Sequence, residues 1–240
     1  MKRSKERALE IIDIYLKNIK KYKFIQSIIL VGSLSDGTYT GNKGSHIDLI
    51  HIIDNDDFDR NRETLLNYIV EIEKNTNNDI PISKDIYSYN MLVNNYNDNF
   101  IASKENKHLI EVPVTLLMIK DTGKVIYGHV DMDNFYNPKI EDILKANKKE
   151  KKLLKVLEKE DPKWYDSYVK RIKNPNTNLI VQITLTNAME DYFINTGNNC
   201  SSKYRILECL ENEMPEYEKI ELVRLCHKFR FENNSIKQNE

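Results

Sequence analysis

The sequence predicts an α+β protein, with a small domain of helices and strands over residues 1–105 and an all-helical domain over residues 106–240. In the first part, short apolar runs that end in turn residues alternate with stretches of helical period. Beyond residue 140 the apolar spacing is almost wholly helical, broken by Pro and Gly-Asn signals. Between the two patterns, the Asn-rich stretch "NNYNDNFIASKENK", residues 94–107, reads as a junction.

Each element follows from its own residues. In "MKRSKERALEIIDIYLKNIKKY", Leu9, Ile12, Leu16 and Ile19 fall at helical spacing among charges, which predicts an amphipathic helix. "FIQSIILVGS" is an apolar run feeding a Gly-Ser turn, and "HIDLIHIID" is the next strand. Residues 58–75 predict a helix whose apolar face is Leu65, Leu66, Ile69, Val70 and Ile72. "IPISKDIYSYNML" alternates well enough for a third strand. Pro113 obscures the start of the helix that follows. Further helices are expected over residues 140–159, 161–173, 177–195, 203–212 and 216–231.

Charge and cysteine usage narrow the class. The 36 basic residues nearly cancel 37 acidic ones, so a net charge of −1 predicts no general affinity for nucleic acid or an anionic membrane. Cys200, Cys209 and Cys226 lack CxxC spacing, and an odd count suits reduced thiols and a cytoplasmic address. No window approaches the roughly 20 apolar residues of a membrane span. Nothing in the pattern specifies an oligomeric state.

The chemistry concentrates in "VGSLSDGTYTGNKGSHIDLIHIID", residues 31–54. Gly32 lets a phosphate approach the backbone, and Ser33 offers it a hydroxyl and an N–H. Ser45 precedes the strand, in which positions 46 and 48 share a side because side chains alternate. Carboxylates at both would face the loop and share a metal, but position 46 is histidine and only Asp48 is acidic. An aspartate within an apolar strand is unusual unless paired or metal-bound, and Asp48 is assigned to a metal. Asp85 supplies a second carboxylate from a neighbouring strand. Such a set suits transfer of a nucleotidyl group, because Mg2+ takes hard oxygen ligands and neutralises triphosphate charge. His46 is either a hydrogen-bonded strand-start histidine or an altered ligand, better suited to Mn2+ or zinc than to Mg2+. In the helical half, Trp164 is a packing anchor or stacks on a sugar or base. Glu190 and Asp191 form a solvated face or attract an amine-bearing substrate.

At these residues the chain resembles the nucleotidyltransferase-fold superfamily, the polymerase β-like proteins, whose pattern is an apolar residue, Gly-Ser, a spacer and Asp-x-Asp on a strand. Within it the likeness is greatest to the aminoglycoside adenylyltransferases that act on streptomycin and spectinomycin. Gly32, Ser33, Ser45 and Asp48 match that motif, and Asp85 falls where the family places a third carboxylate that serves as general base. "VPVTLLMIKDTGKVIYG" resembles the segment that starts the family's helical domain, and "DPKWYDSY", with Trp164, is similar to its Pro-x-Trp segment. "TGNNCSSKYRILECL" resembles the stretch whose lysine contacts the triphosphate, here Lys203. Two features depart from the pattern: His46 stands for the first Asp, and the helix from Asn178 to Asn195 has no arginine where family members supply one to the nucleotide.

The resemblance implies a small mixed sheet with flanking helices, then a helical domain that clamps substrate and nucleotide. It implies transfer of AMP from ATP to a hydroxyl of an aminoglycoside-like acceptor, with Mg2+ or Mn2+, as in antibiotic resistance. In that scheme His46, Asp48 and Asp85 are the catalytic and metal positions, and Gly32, Ser33, Ser45 and Lys203 meet the nucleotide. Trp164, Glu190 and Asp191 meet the acceptor, and the substitution at position 46 implies weakened or altered turnover. The alternatives are a nucleotide-binding pseudoenzyme and a nucleotidyltransferase with another acceptor, a lincosamide or a protein. The nucleotide and the small-molecule acceptor are the expected partners, and no nucleic acid or membrane is.

Overall fold

A computed structural model describes residues 3–42, 45–77, 79–95, 112–173 and 175–232. The chain divides into two compact units, the first formed by residues 1–95 and 118–136, the second by 96–117 and 137–240. The division is not a single cut, because a strand late in sequence joins the first sheet. The expected junction at residues 94–107 lies almost wholly outside the described residues.

Helix α1 (Lys5–Ile19) opens the first unit, with the Ser4 hydroxyl accepting from the Arg7 N–H as its N-cap. Its buried face is Ala8, Ile11, Ile12, Tyr15 and Ile19, whereas Leu9 is exposed. The face expected from Leu9, Ile12, Leu16 and Ile19 is thus rotated, because the large apolar ring of Tyr15 outweighs Leu9 and brings a hydroxyl into the core. Strand β1 (Ile25–Leu30) leads to the short helix α2 (Gly32–Asp36), then to β2 (Leu49–Ile53). Helix α3 (Phe58–Asn75) buries Leu65, Tyr68, Ile69 and Ile72. Leu66 and Val70 of its expected face are only partly buried.

The third strand, β3, is shorter than its alternation suggested, running only from Asp85 to Ser88. Ser88 ends it by capping helix α4 (Tyr89–Asn94), its hydroxyl accepting from the Met91 N–H. Helix α5 (Val112–Thr122) leads to β4 (Lys124–Gly128). The sheet order is β3-β2-β1-β4, with β1 antiparallel to β2 and β4, and β2 parallel to β3, so the sheet is mixed. One face carries Ile28, Leu30, Leu49, Ile53 and Ile86, which share a core with the apolar faces of α1 and α3.

The second unit contains α6 (Ile140–Glu160), α7 (Pro162–Lys173), α8 (Thr177–Thr196), α9 (Ile206–Glu213) and α10 (Ile220–Phe231). Val181, Leu185, Ala188 and Tyr192 of α8 pack with Ile206, Leu210, Val223 and Cys226. All three cysteines are free thiols. Among the described residues, no helix is long and apolar enough to cross a membrane.

Candidate nucleotide and metal site

Strand β1 delivers the chain to Val31, whose N–H donates to the Asp48 carbonyl at 3.0 Å. The ladder between β1 and β2 therefore continues one step beyond the strands and sets Asp48 opposite the turn. Gly32 has φ +67°, and a Cβ built there would lie 2.6 Å from Asp48 Oδ2. Only glycine allows both the left-handed backbone and the carboxylate against its Cα. The Gly32 N–H donates to Thr122 Oγ1 at 3.0 Å, and the Thr122 hydroxyl donates to the Met118 carbonyl. The Ser35 hydroxyl donates to the Thr122 carbonyl and the Lys124 ammonium to the Ser35 carbonyl, so α5 and β4 brace the turn.

His46 and Asp48 precede β2 proper, with an isolated parallel bridge between Ile47 and Ile82. They still share a side, since His46 Nε2 stands 2.8 Å from Asp48 Oδ1. Asp85 pairs with Ile50, two residues after Asp48, which places both carboxylates on one face of the sheet. The Asp85 carboxyl is pushed up to about 6, first by burial and then by the negative charge of Asp48, while Ser83 and His46 pull it down. Two like charges thus meet beside a glycine turn. Ser33 is partly buried in α2. Ser45 is buried, its hydroxyl donating to Asn42 Oδ1 at 3.2 Å and its carbonyl accepting from Arg3 Nη1 at 3.5 Å. Among the described residues, no group of three or more His, Cys, Asp or Glu side chains is arranged to hold a metal ion.

The structure thus brings Gly32, His46, Asp48 and Asp85 together in the first unit. The remaining expected residues belong to the second. Lys203 is partly buried in the turn before α9, which begins three residues later than expected, at Ile206. Trp164 lies in α7, with its side chain outside the described parts. Asp191 Oδ2 accepts from the Tyr217 hydroxyl at 2.6 Å and from Lys219 Nζ at 3.3 Å. Burial raises the Glu190 carboxyl, a hydrogen bond from Asn147 opposes this, and the charges of Glu150 and Asp191 add to it.

One residue escaped the sequence reading. His51, fully buried in β2, approaches the Asp85 carbonyl with Nδ1 at 3.1 Å and the Tyr15 hydroxyl with Nε2 at 2.9 Å. Burial lowers its pKa to about 4, with the Asp85 bond opposing, so it is neutral at ordinary pH. Its only sequence signal is an imidazole inside the aliphatic run "LIHII".

The mixed sheet with its glycine turn, followed by a helical part, is the nucleotidyltransferase fold. A solved structure that shows the likeness is spectinomycin adenyltransferase AAD(9) from Enterococcus faecialis, with ATP and spectinomycin. The two superpose with a TM-score of 0.53 over 94% of this chain and 90% of that one, at 17% identity. No protein-family model and no curated protein matches the chain.

Proposed function

We propose that the chain is a nucleotidyltransferase that moves AMP from ATP to a hydroxyl of an aminoglycoside-like small molecule. The observation that carries this reading is the meeting of Gly32, Asp48 and Asp85, in which Asp48 lies against the glycine turn and its charge helps raise Asp85. The fold shared with an adenyltransferase supports it. So does the donor set, because Mg2+ is usually held by one or two carboxylates together with substrate phosphates. Asp48 and Asp85 would hold that ion, with His46 Nε2 standing 2.8 Å from Asp48 Oδ1 beside them. When bound, the ion neutralises charge on the triphosphate.

The chain's own residues supply the rest. Ser33 holds a phosphate oxygen, Lys203 offsets triphosphate charge, and Trp164, Glu190 and Asp191 meet the acceptor; Ser45, whose hydroxyl and N–H both donate to Asn42, shapes the loop instead of meeting phosphate. The acceptor oxygen bonds to the α-phosphorus, the bond to the β-phosphate breaks, and pyrophosphate leaves. Asp85 takes the acceptor proton.

A second reading has its own support. The 2.8 Å contact with His46 engages one oxygen of Asp48, the acid that remains where the motif expects a pair. That favours a protein that binds nucleotide with little or no turnover. Binding of ATP and nucleotidyl transfer to spectinomycin and streptomycin, measured with Mg2+ and Mn2+ for the natural chain and for His46→Asp, separates the two. Transfer by the natural chain supports the enzyme, and transfer only by His46→Asp supports the pseudoenzyme. Absence of ATP binding in both refutes the nucleotide site.

A further inference from the structure

The other four residues of β2 are Leu49, Ile50, Ile52 and Ile53, all buried, and an aliphatic side chain at position 51 would suit the same core. A buried imidazole costs free energy unless both nitrogens are bonded. Here both are, and their order is fixed. The Asp85 carbonyl only accepts, so Nδ1 carries the proton and donates to it; Nε2 is then the acceptor, and the Tyr15 hydroxyl donates to Nε2. The Tyr68 hydroxyl donates to the Tyr15 carbonyl at 2.8 Å, tying α3 to α1 at the same point.

The bonded carbonyl belongs to the first residue of β3, the edge strand next to β2. Among the described residues, this four-residue edge strand has backbone partners on one side only. Two residues earlier, Ser83 Oγ accepts from the Leu49 N–H at 2.9 Å and donates to the Leu49 carbonyl at 2.8 Å. Ser83 and His51 therefore hold the start of β3 on either side of the Asp85 side chain.

We propose that His51 is a positioning residue for the site described above: by donating to the Asp85 carbonyl from the far face of the sheet, it fixes where the Asp85 carboxylate stands beside Asp48. The inference rests on the proposed nucleotide site. Residues that orient a ligating group behave this way, and their loss costs about 10- to 100-fold in metal affinity.

The test is the affinity for Mn2+·ATP, read from the Mn2+ spectrum by electron paramagnetic resonance, with thermal unfolding in parallel. Folded His51→Leu binds about 10- to 100-fold more weakly. His51→Asn recovers most of the loss, because its amide N–H stands near the Nδ1 position. Tyr15→Phe, which keeps the packing and removes only the donor to Nε2, shows a smaller loss in the same direction and serves if His51→Leu does not fold. Equal binding by the wild type and a folded His51→Leu overturns the inference, as does an unaffected Tyr15→Phe or a His51→Asn as weak as His51→Leu. A wild-type chain that does not bind Mn2+·ATP overturns the nucleotide site itself, and this inference with it.

Discussion

Replacing Gly32 with alanine tests the contact on which the site is built. The backbone there has φ +67°, and an L-residue in the left-handed region pays about 1–2 kcal/mol. The new Cβ would also come within 2.6 Å of Asp48 Oδ2, closer than two such atoms can stand. The carboxylate is the end of a short side chain and swings aside, leaving its rotamer and its 2.8 Å contact with His46. That second part costs about 1 kcal/mol. Gly32→Ala therefore destabilises by about 2–3 kcal/mol in the natural chain. In an Asp48→Ala background the carboxylate is gone and only backbone strain remains, about 1–2 kcal/mol. Urea unfolding of the four proteins gives the coupling as a double-mutant cycle, expected near 1 kcal/mol. Gly32→Ala also lowers ATP·metal affinity, since Asp48 no longer faces the turn. Costs equal in both backgrounds to within about 0.3 kcal/mol would refute the close approach of Asp48 to Gly32.

Two further outcomes concern pH and the brace on the turn. His51 is lowered from 6.5 to about 4, so it contributes instability that grows as pH falls through that window. Asp85 is raised from 3.8 to about 6, so its protonated form gains stability as pH falls through nearly the same window. Each is worth about 3 kcal/mol, and in chelator the two nearly cancel. Asp85→Asn removes one side of the balance, and between pH 7 and pH 4 it should lose about 2–3 kcal/mol more than the natural chain; parallel stability curves would contradict the raised Asp85 carboxyl. Thr122→Val removes the acceptor of the Gly32 N–H, held at 3.0 Å, and costs about 1–3 kcal/mol, with faster amide exchange at Gly32. Unchanged exchange at that amide would show that the turn does not depend on Thr122.

The element sequence was legible where period and punctuation agreed. The helices from Ile140 to Glu160 and from Thr177 to Thr196 begin where their signals place them, because a long apolar stripe and an Asn cap act locally. Strand β3 was overestimated because alternation continued past Ser88, whereas the hydroxyl of that residue turns the chain into helix. The phase of α1 was misjudged because its face is chosen by what lies opposite, and Tyr15 meets His51, 36 residues away. The Gly-Ser turn and Asp48 were readable as a motif, but the bond from Gly32 to Thr122 joins residues 90 apart and leaves no local trace.

By itself the sequence determined the α+β class, the strand that directly follows Asp48, and the substitution of His46 for an acid, since these depend on residue identity and short-range period. Only the tertiary structure decided that β4 returns to β1, that Asp48 lies against Gly32 and alters Asp85, and that a buried histidine holds the Asp85 backbone. Strand register and side-chain approach are set by contacts between segments distant in sequence, and pairing across a sheet converts a spacing of residues into a distance between charges.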